Sequence, residues 1–226
     1  MRPTKPKFWD VRASRLLLML VNIVLIPVPS LIYARPEPAR VPDAERFSRP
    51  VGAKVYTISK DYTTLSFTAV KWKVFKEQGL FKDFSGTVSY DPKNPSVCSI
   101  QVTAEAVSLD TGNAMRDKVL RSDDFFDAAK YPELSFRSLR ITGTKPGSFD
   151  VLGDLTIHGI TKRITVPVKI IGTQVIPNIG DFVGFETAFN IDRREFGVLG
   201  TRWSGNTVAI DPIVLIHLIV GGVRPL

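Results

Sequence analysis

The sequence predicts an all-β protein, an antiparallel β-barrel of about eight strands with one short helix. After residue 50 the chain consists of short segments in which apolar and polar residues alternate, which is the pattern of half-buried strands. Turn residues such as Asp91-Pro92 separate these segments. The only segment with helical character lies within residues 109–136, where we predict a structured crossing over 116–127 between two barrel strands.

The first 34 residues have the pattern of a targeting segment. A basic stretch precedes an apolar run from Leu16 to Ile26, which is shorter than the roughly 20 apolar residues that a membrane-spanning helix needs. Residues 1–34 are therefore predicted to be a signal peptide, with an N-terminal membrane anchor through residues 16–34 as the alternative. Either interpretation places the folded domain outside the cytoplasm. A signal peptide predicts a periplasmic or secreted protein, and the alternative predicts a domain that the N-terminal segment anchors to the membrane.

Residues 35–50 are rich in proline and charge and are predicted to form a linker. The barrel domain is predicted to cover residues 51–226. The formal net charge is +8, but basic residues of the first 15 positions supply much of it. The rest is typical of a solvated surface, so we predict no nucleic-acid partner.

The apolar and polar pattern gives nine candidate strands. They cover, in chain order, residues 54–59, 64–74, 86–90, 99–109, 133–142, 148–156, 163–172, 181–192 and 206–220. Pro167 lies within one of them, and because proline cannot donate a ladder hydrogen bond, we expect that strand to be at an edge or beside a bulge. The apolar run 213–220 is too short for a membrane helix and is predicted to be a strand that is buried on both faces or packed on a partner.

Residue types that commonly carry catalysis are scarce. His158 precedes Gly159 in a predicted hairpin turn, and His217 lies in the apolar last strand, where a structural hydrogen bond is expected. Cys98 is the only cysteine; it can form no internal disulfide and is interpreted as a partly buried small hydrophobe. These three residues do not have metal-ligand spacing, so no catalytic residue, metal site or cofactor is predicted.

Three aspartates within the predicted crossing are candidates for the paired carboxylates of an acid–base site. Asp123, Asp124 and Asp127 flank Phe125 and Phe126 at the end of a helix. In that position they are better interpreted as helix capping and solvated charge.

The apolar residues that alternate along the strands form the candidate ligand site. In a barrel every second residue points inward, and an interior of about eight strands is either filled by side chains or able to hold a ligand. Phe125 and Phe126 are expected to close one end of this interior. The residues predicted to line it are Leu65, Phe67, Val102, Ala104, Phe125, Phe126, Leu134, Phe136, Leu155, Ile157, Val168, Phe189 and Ile191.

Several segments, in the same order and spacing, make the chain resemble the YceI-like family across about residues 54–218. They are 81–86 (FKDFSG), 90–92 (YDP), 108–113 (SLDTGN), 116–117 (RD), 120–127 (LRSDDFFD), 131–132 (YP), Phe136, 153–162 (GDLTIHGITK) and 191–197 (IDRREFG). The resemblance implies a lipocalin-like barrel with an elongated apolar cavity for polyisoprenoid or other long-chain lipids, in proteins that are commonly periplasmic or secreted. It implies no catalytic residues. The chain departs from the family at 61–64 (DYTT), where members often carry a histidine and a serine.

These observations together predict a non-enzymatic protein that binds a long-chain apolar lipid and sequesters or transports it. Lys71, Lys73, Lys76 and Arg116 are candidates to meet a polar head group at the rim. One alternative is an enzyme that acts on a small apolar substrate in the same cavity, which would need inward-facing polar groups. Another is a structural or partner-binding barrel, for example a homodimer, for which the apolar last strand is the only indication.

Overall fold

The computed structural model describes residues 52–145, 147–202 and 210–226. The predicted signal peptide or anchor and the linker lie outside these residues and stay predictions. In the described part of the chain, no helix combines the length and the apolar character that a membrane crossing requires.

The described residues form eleven strands and one α-helix. The helix α1 is Ala114–Arg121. The strands are β1 (Lys54–Ile58), β2 (Thr64–Lys71), β3 (Phe75–Phe81), β4 (Phe84–Tyr90), β5 (Ser99–Glu105), β6 (Leu109–Asp110), β7 (Glu133–Lys145), β8 (Ser148–Ile157), β9 (Ile160–Ile176), β10 (Gly180–Asp192) and β11 (Ile210–Arg224).

The eleven strands build a closed antiparallel barrel with eight strands around its circumference. The order is β1-β4-β5-β7-β8-β9-β10-β11, and β11 closes the ring by pairing again with β1. The same edge of β11 pairs first with β2 and then with β1, so these two strands act as one long bent strand. The neighbouring position of the wall is divided in the same way: β3 pairs with β2, and β4 pairs with β1. The predicted fold class is confirmed.

Strand β3 was not predicted from the sequence. Its segment carries Lys76, Glu77 and Gln78 in succession and lacks the alternation that indicates a strand. It forms because it pairs with all of β2. A glycine is required there, since a Cβ at Gly79 would lie 2.3 Å from the Phe67 ring.

The helix occupies a different range from the predicted crossing at 116–127. It begins earlier because the Asn113 side chain accepts hydrogen bonds from the N–H groups of Met115 and Arg116, at 3.1 Å each, which is a typical N-cap. It ends at Arg121, and the N–H of Ser122 then bonds to the carbonyl oxygen of Val119. Turns follow, so the predicted crossing between two barrel strands consists of α1 and these turns, and it lies between β6 and β7.

Residues 213–220 form a strand as predicted. Of the two predicted settings, burial on both faces is wrong, and packing on a partner stays a prediction. Ile213, Leu215 and Ile219 are 48%, 39% and 39% exposed. A barrel wall is a single layer, so alternate residues of β11 must face outward. The inward-facing set is Val214, Ile216, Leu218 and Val220.

Pro167 lies in β9, which pairs with β8 on one side and with β10 on the other, so the predicted edge strand is wrong. The other predicted setting, a bulge, occurs further along the same ladder, where the register with β10 shifts between Gly184 and Phe185. The ladder between β9 and β10 ends at the pair Lys169 and Glu186, so the missing N–H of Pro167 leaves no partner unsatisfied there. Its carbonyl oxygen accepts a hydrogen bond of 2.6 Å from the Thr187 hydroxyl.

A buried carboxylate joins three strands at the barrel end opposite α1. Asp181 is 2% exposed and accepts hydrogen bonds from Lys54 Nζ (2.8 Å), Arg224 Nη2 (2.9 Å) and the Tyr56 hydroxyl (3.2 Å). Burial opposes its ionisation, but these donors outweigh burial and hold the pKa of Asp181 below its usual value. Burial, followed by the charge of Asp181, raises the pKa of Tyr56 to about 12.

Candidate ligand-binding site

The barrel interior contains two adjoining cavities. The outer cavity, next to α1, has a volume of about 370 Å³, and the inner one has about 140 Å³. The outer cavity alone is within the range of about 300–1,000 Å³ that is usual for small-molecule sites. The residues whose side chains contribute to both walls are Phe67, Phe81, Leu134, Ile157 and Ile216.

The structure places all thirteen predicted lining residues on these walls. Phe67, Leu134 and Ile157 line both cavities. Those on the outer wall alone are Phe125, Phe126 and Ile191. Those on the inner wall alone are Leu65, Val102, Ala104, Phe136, Leu155, Val168 and Phe189. Their contact with a ligand stays a prediction.

Aromatic rings stand where the two cavities meet. The Phe81 ring lies 5.8 Å from the Phe67 ring and 5.8 Å from the Phe126 ring, measured between centroids. Deeper in the barrel, the Phe136 ring packs over Gly153, where a Cβ would come within 2.4 Å of the ring. Glycine at that position therefore leaves the space that the ring occupies.

Phe125 is fixed at the helix end of the outer cavity. It is 3% exposed, and its ring covers Gly200, where a Cβ would come within 2.5 Å. The contact joins the segment after α1 to the 197–202 loop, so Phe125 and that loop together form one side of the outer cavity.

Asp124 secures the same loop, which corrects its interpretation as a cap or surface charge. Its carboxylate accepts hydrogen bonds from the Arg202 N–H (2.9 and 3.0 Å) and the Thr201 hydroxyl (3.1 Å). Its carbonyl oxygen accepts one from the Gly200 N–H at 2.8 Å. Burial opposes ionisation, but the donors outweigh it and the pKa of Asp124 is lowered. Of the three aspartates Asp123, Asp124 and Asp127, only Asp123 is exposed, and its carboxylate pairs with Arg202.

Polar side chains are concentrated on the outer cavity. Its wall includes Lys71, Glu77, Gln78, Thr111, Asn113, Arg116 and Arg193, whereas among the described residues only Ser66, Ser135 and Thr187 are polar members of the inner wall. Of the four predicted rim cations, Lys71 and Arg116 line the cavity. Lys73 and Lys76 are not among the lining residues.

Arg116 joins α1 to β3 at the rim. Its guanidinium donates from Nε to Thr111 Oγ1 (2.8 Å) and from Nη2 to the Thr111 carbonyl oxygen (2.9 Å), and Nη1 pairs with Glu77. The neighbouring Asp117 is buried and accepts bonds from the N–H and hydroxyl of the same threonine, at 2.9 and 2.5 Å. The rim therefore has a fixed geometry with a largely compensated charge at this point.

Arg193 is a buried cation that the sequence reasoning did not select. It is 6% exposed. Nη1 donates to the carbonyl oxygens of Val198 (2.7 Å) and Leu199 (2.6 Å), and Nε and Nη2 donate to those of Asp211 (3.1 Å) and Ile210 (2.9 Å). Burial, followed by the charge of Arg194, lowers its pKa. The sequence did contain an indication of Arg193, because it lies within the segment 191–197 that contributed to the family resemblance.

The histidines and the cysteine lie away from the cavity walls. His158 (φ 51°) and Gly159 (φ 72°) form the tight turn between β8 and β9, which confirms the predicted hairpin. His217 has a 40% exposed side chain and bonds through Nε2 to Glu186 Oε1 at 3.0 Å, which confirms the predicted hydrogen bond. Cys98 is partly buried, and burial raises its pKa. No group of potential metal ligands occurs among the described residues.

A closed eight-stranded barrel with an apolar lumen and a helix beside its opening has the architecture of lipocalin-like binding proteins. The family model "YceI-like domain" matches residues 56–218. The chain therefore belongs to the YceI-like family.

Curated relatives include Protein YceI of Escherichia coli O157:H7, which is 43% identical over 121 residues, 53% of this chain and 62% of the relative. The chain thus spans less than two thirds of that protein. A UPF0312 protein of Pseudomonas savastanoi pv. phaseolicola is 38% identical over 133 residues, 59% of this chain and 69% of the relative.

Solved structures with a similar fold include the following two. BcnA of Burkholderia cenocepacia superposes with a TM-score of 0.67 at 27% identity, over 73% of this chain and 98% of that chain. A polyisoprenoid-binding domain from Saccharophagus degradans, described as implicated in plant cell wall breakdown, gives a TM-score of 0.59 at 18% identity. That match covers 75% of this chain and 98% of that domain, and it shows a shared fold.

Proposed function

We propose that the barrel binds a long-chain apolar lipid of polyisoprenoid type and sequesters or transports it outside the cytoplasm. The observation that carries this function is the polarity gradient of the lumen. The inner cavity is almost wholly apolar, whereas the outer cavity ends in Lys71, Arg116 and Glu77. Such a lumen fits a molecule with a long hydrocarbon chain and one polar end.

The energetic basis is burial of the hydrocarbon chain. Each Å² of apolar surface removed from water contributes about 25 cal/mol, so a chain that extends from the outer into the inner cavity gains more than a compact ligand. The polyisoprenoid-binding domain from Saccharophagus degradans has the same fold. This similarity supports the class of ligand without specifying its length or head group.

We expect a binding role without catalysis. Both arginines of the outer cavity are already engaged: Arg116 with the side chains of Glu77 and Thr111, and Arg193 with four backbone carbonyl oxygens. An enzyme that acts on a small apolar substrate would instead need an unengaged acid, base or nucleophile beside the lumen. A periplasmic or secreted location, with residues 1–34 removed or kept as an anchor, is part of the same proposal.

Native purification followed by lipid extraction and mass spectrometry tests the function. We expect a long-chain lipid, released by organic solvent and present in near-stoichiometric amount. Delipidated protein should take up an added polyprenyl lipid and should not take up a soluble sugar phosphate of equal charge. A barrel that is reproducibly empty and that takes up no long-chain lipid would contradict the proposal.

The outward face of β11 favours the partner-binding alternative in one respect. Ile213, Leu215 and Ile219 form a half-exposed apolar stripe, and such a stripe suits packing against a second copy. If a homodimer forms there, light scattering should show a dimer that Leu215→Glu converts to a monomer. Ile179→Glu, at a 65% exposed apolar position in the turn between β9 and β10, is the matched control and should leave the mass unchanged.

A further inference from the structure

The hairpin that joins β2 to β3 exposes large apolar side chains between lysines. Residues 71–76 read Lys-Trp-Lys-Val-Phe-Lys. Trp72, Val74 and Phe75 are 58%, 74% and 55% exposed, and Lys73 and Lys76 are exposed as well. These side chains pack neither in the barrel core nor in the lumen. A cluster of exposed apolar side chains of this kind is typical of a surface that binds a partner.

The tip of this hairpin is a formed turn. Trp72 and Lys73 adopt left-handed backbone conformations, with φ of 50° and 59°, and the Val74 N–H donates to the carbonyl oxygen of Lys71 at 3.1 Å. The Trp72 and Phe75 rings lie 6.3 Å apart between centroids, and Lys71 Nζ lies 4.2 Å from the Trp72 ring. The apolar surface is thus held in place before any partner binds.

The tip carries positive charge that no described carboxylate neutralises. Lys73 and Lys76 form no ion pair with any residue of the described ranges. Glu77, the next acidic residue along the strand, already pairs with Arg116. An occupant of this surface should therefore be apolar at its centre and anionic around it.

The hairpin projects from the rim of the outer cavity. Lys71 at its base and Glu77 and Gln78 on its second strand all line that cavity. Met115, at the start of α1, lies on the same rim and is 80% exposed. Whatever binds the hairpin tip is therefore brought next to the opening of the lumen.

We propose that the β2–β3 hairpin docks on the surface of an anionic phospholipid bilayer. Tryptophan and other aromatic side chains favour the membrane–water interface, and lysines near an anionic surface add electrostatic attraction. A second copy of the chain fits less well. A two-fold pairing would bring the same lysines together, and three side chains cover far less than the roughly 800 Å² per partner of a stable interface.

Site-specific fluorescence on the full chain tests the docking. In a Cys98→Ser background, the environment-sensitive dye NBD is attached at Val74→Cys, and in a matched protein at Ile179→Cys. Ile179 is 65% exposed in the turn between β9 and β10, at the opposite barrel end. Phosphatidylcholine vesicles with and without about one third phosphatidylglycerol are then added. With the anionic vesicles only, we expect the NBD emission at position 74 to rise severalfold in intensity and to shift to shorter wavelength. The emission at position 179 should not change.

Charge and apolar variants provide the second arm of the test. Neutralising Lys73 and Lys76 to glutamine should lower the vesicle partition coefficient about fivefold for each lysine, whereas Lys93→Gln and Lys169→Gln should change it less than twofold. Trp72→Asn, which tolerates the left-handed backbone, should weaken binding, and Ile179→Asn should not. In a chain that keeps residues 16–34, any vesicle binding through that apolar run would not depend on these lysines.

Three results would overturn the docking. The first is NBD emission at position 74 that does not change when anionic vesicles are added. The second is an equal change of emission at positions 74 and 179. The third is NBD emission at position 74 that rises with protein concentration in the absence of vesicles. The last result would assign the tip to a second copy of the chain. Vesicle docking needs no occupant of the lumen, so an empty barrel would refute the proposed lipid binding and leave this result standing.

Discussion

Replacing Ala69 by tryptophan is expected to lower the affinity for a long-chain lipid about 70-fold. Ala69 points from β2 into the outer cavity, where a tryptophan side chain would occupy space that the lipid needs. If it displaces roughly 100 Å² of apolar contact at about 25 cal/mol per Å², the loss is about 2.5 kcal/mol. Titration of delipidated protein with a fluorescent polyprenyl analogue measures it.

The next residue along the same strand supplies the matched control. Val70→Trp adds the same side chain at a position that does not line either cavity, and it should leave lipid affinity within about twofold of the parent protein. Ala69→Leu should give an intermediate loss of lipid affinity. This smaller substitution tests the same prediction if the Ala69→Trp protein does not fold. If Ala69→Trp folds and binds lipid as tightly as the parent protein, the lumen is not the binding site.

Replacing Asp181 by asparagine is expected to lower the free energy of unfolding by about 2–3 kcal/mol at neutral pH. The carboxylate is 2% exposed and holds Lys54, Tyr56 and Arg224 together at one barrel end. The loss should be smaller than for a fully buried pair, because the side chains of Lys54 and Arg224 are 51% and 36% exposed. Urea unfolding at pH 7 measures it.

The pH dependence of unfolding gives this prediction a specific signature. The folded pKa of Asp181 lies below its usual value, so its contribution is complete above the unfolded pKa, about 3.9, and is lost as the pH falls through the folded pKa. The parent protein should therefore lose more stability below pH about 4 than the variant does.

An exposed ion pair supplies the comparison for Asp181. In the Lys60–Asp83 pair the side chains are 58% and 63% exposed, so Asp83→Asn should cost less than about 1 kcal/mol. Equal losses in the two variants would mean that burial of Asp181 contributes nothing to stability.

Much of the barrel could be predicted because barrel strands have a simple local signal. The alternation of apolar and polar residues that selects Leu65, Phe67, Val102 and Phe136 follows from a single-layer wall with one dry face. Every residue selected in this way lies on a cavity wall. The hairpin at His158-Gly159 was equally predictable, because a turn with two positive φ values has a strong sequence preference.

The errors have a common physical cause, which is that non-local pairing overrides weak local patterns. Strand β3 lacks alternation and is held by β2 and by the close contact between Phe67 and Gly79. Arg193 was not selected as a site residue, yet four carbonyl oxygens from two separate segments surround it. Neither arrangement can be read from neighbours in the chain.

The amino-acid sequence alone determined the class of architecture, the inward face of most strands and the family resemblance, because each depends on patterns that recur over a few residues. The tertiary structure decided that the interior is hollow, since a void depends on how side chains from eight strands meet and on glycines that leave space for rings such as those of Phe67 and Phe136. It also placed the polar groups at one end of the lumen, because that end is built from β2, β3, α1 and the loop after β10, which are distant in the chain.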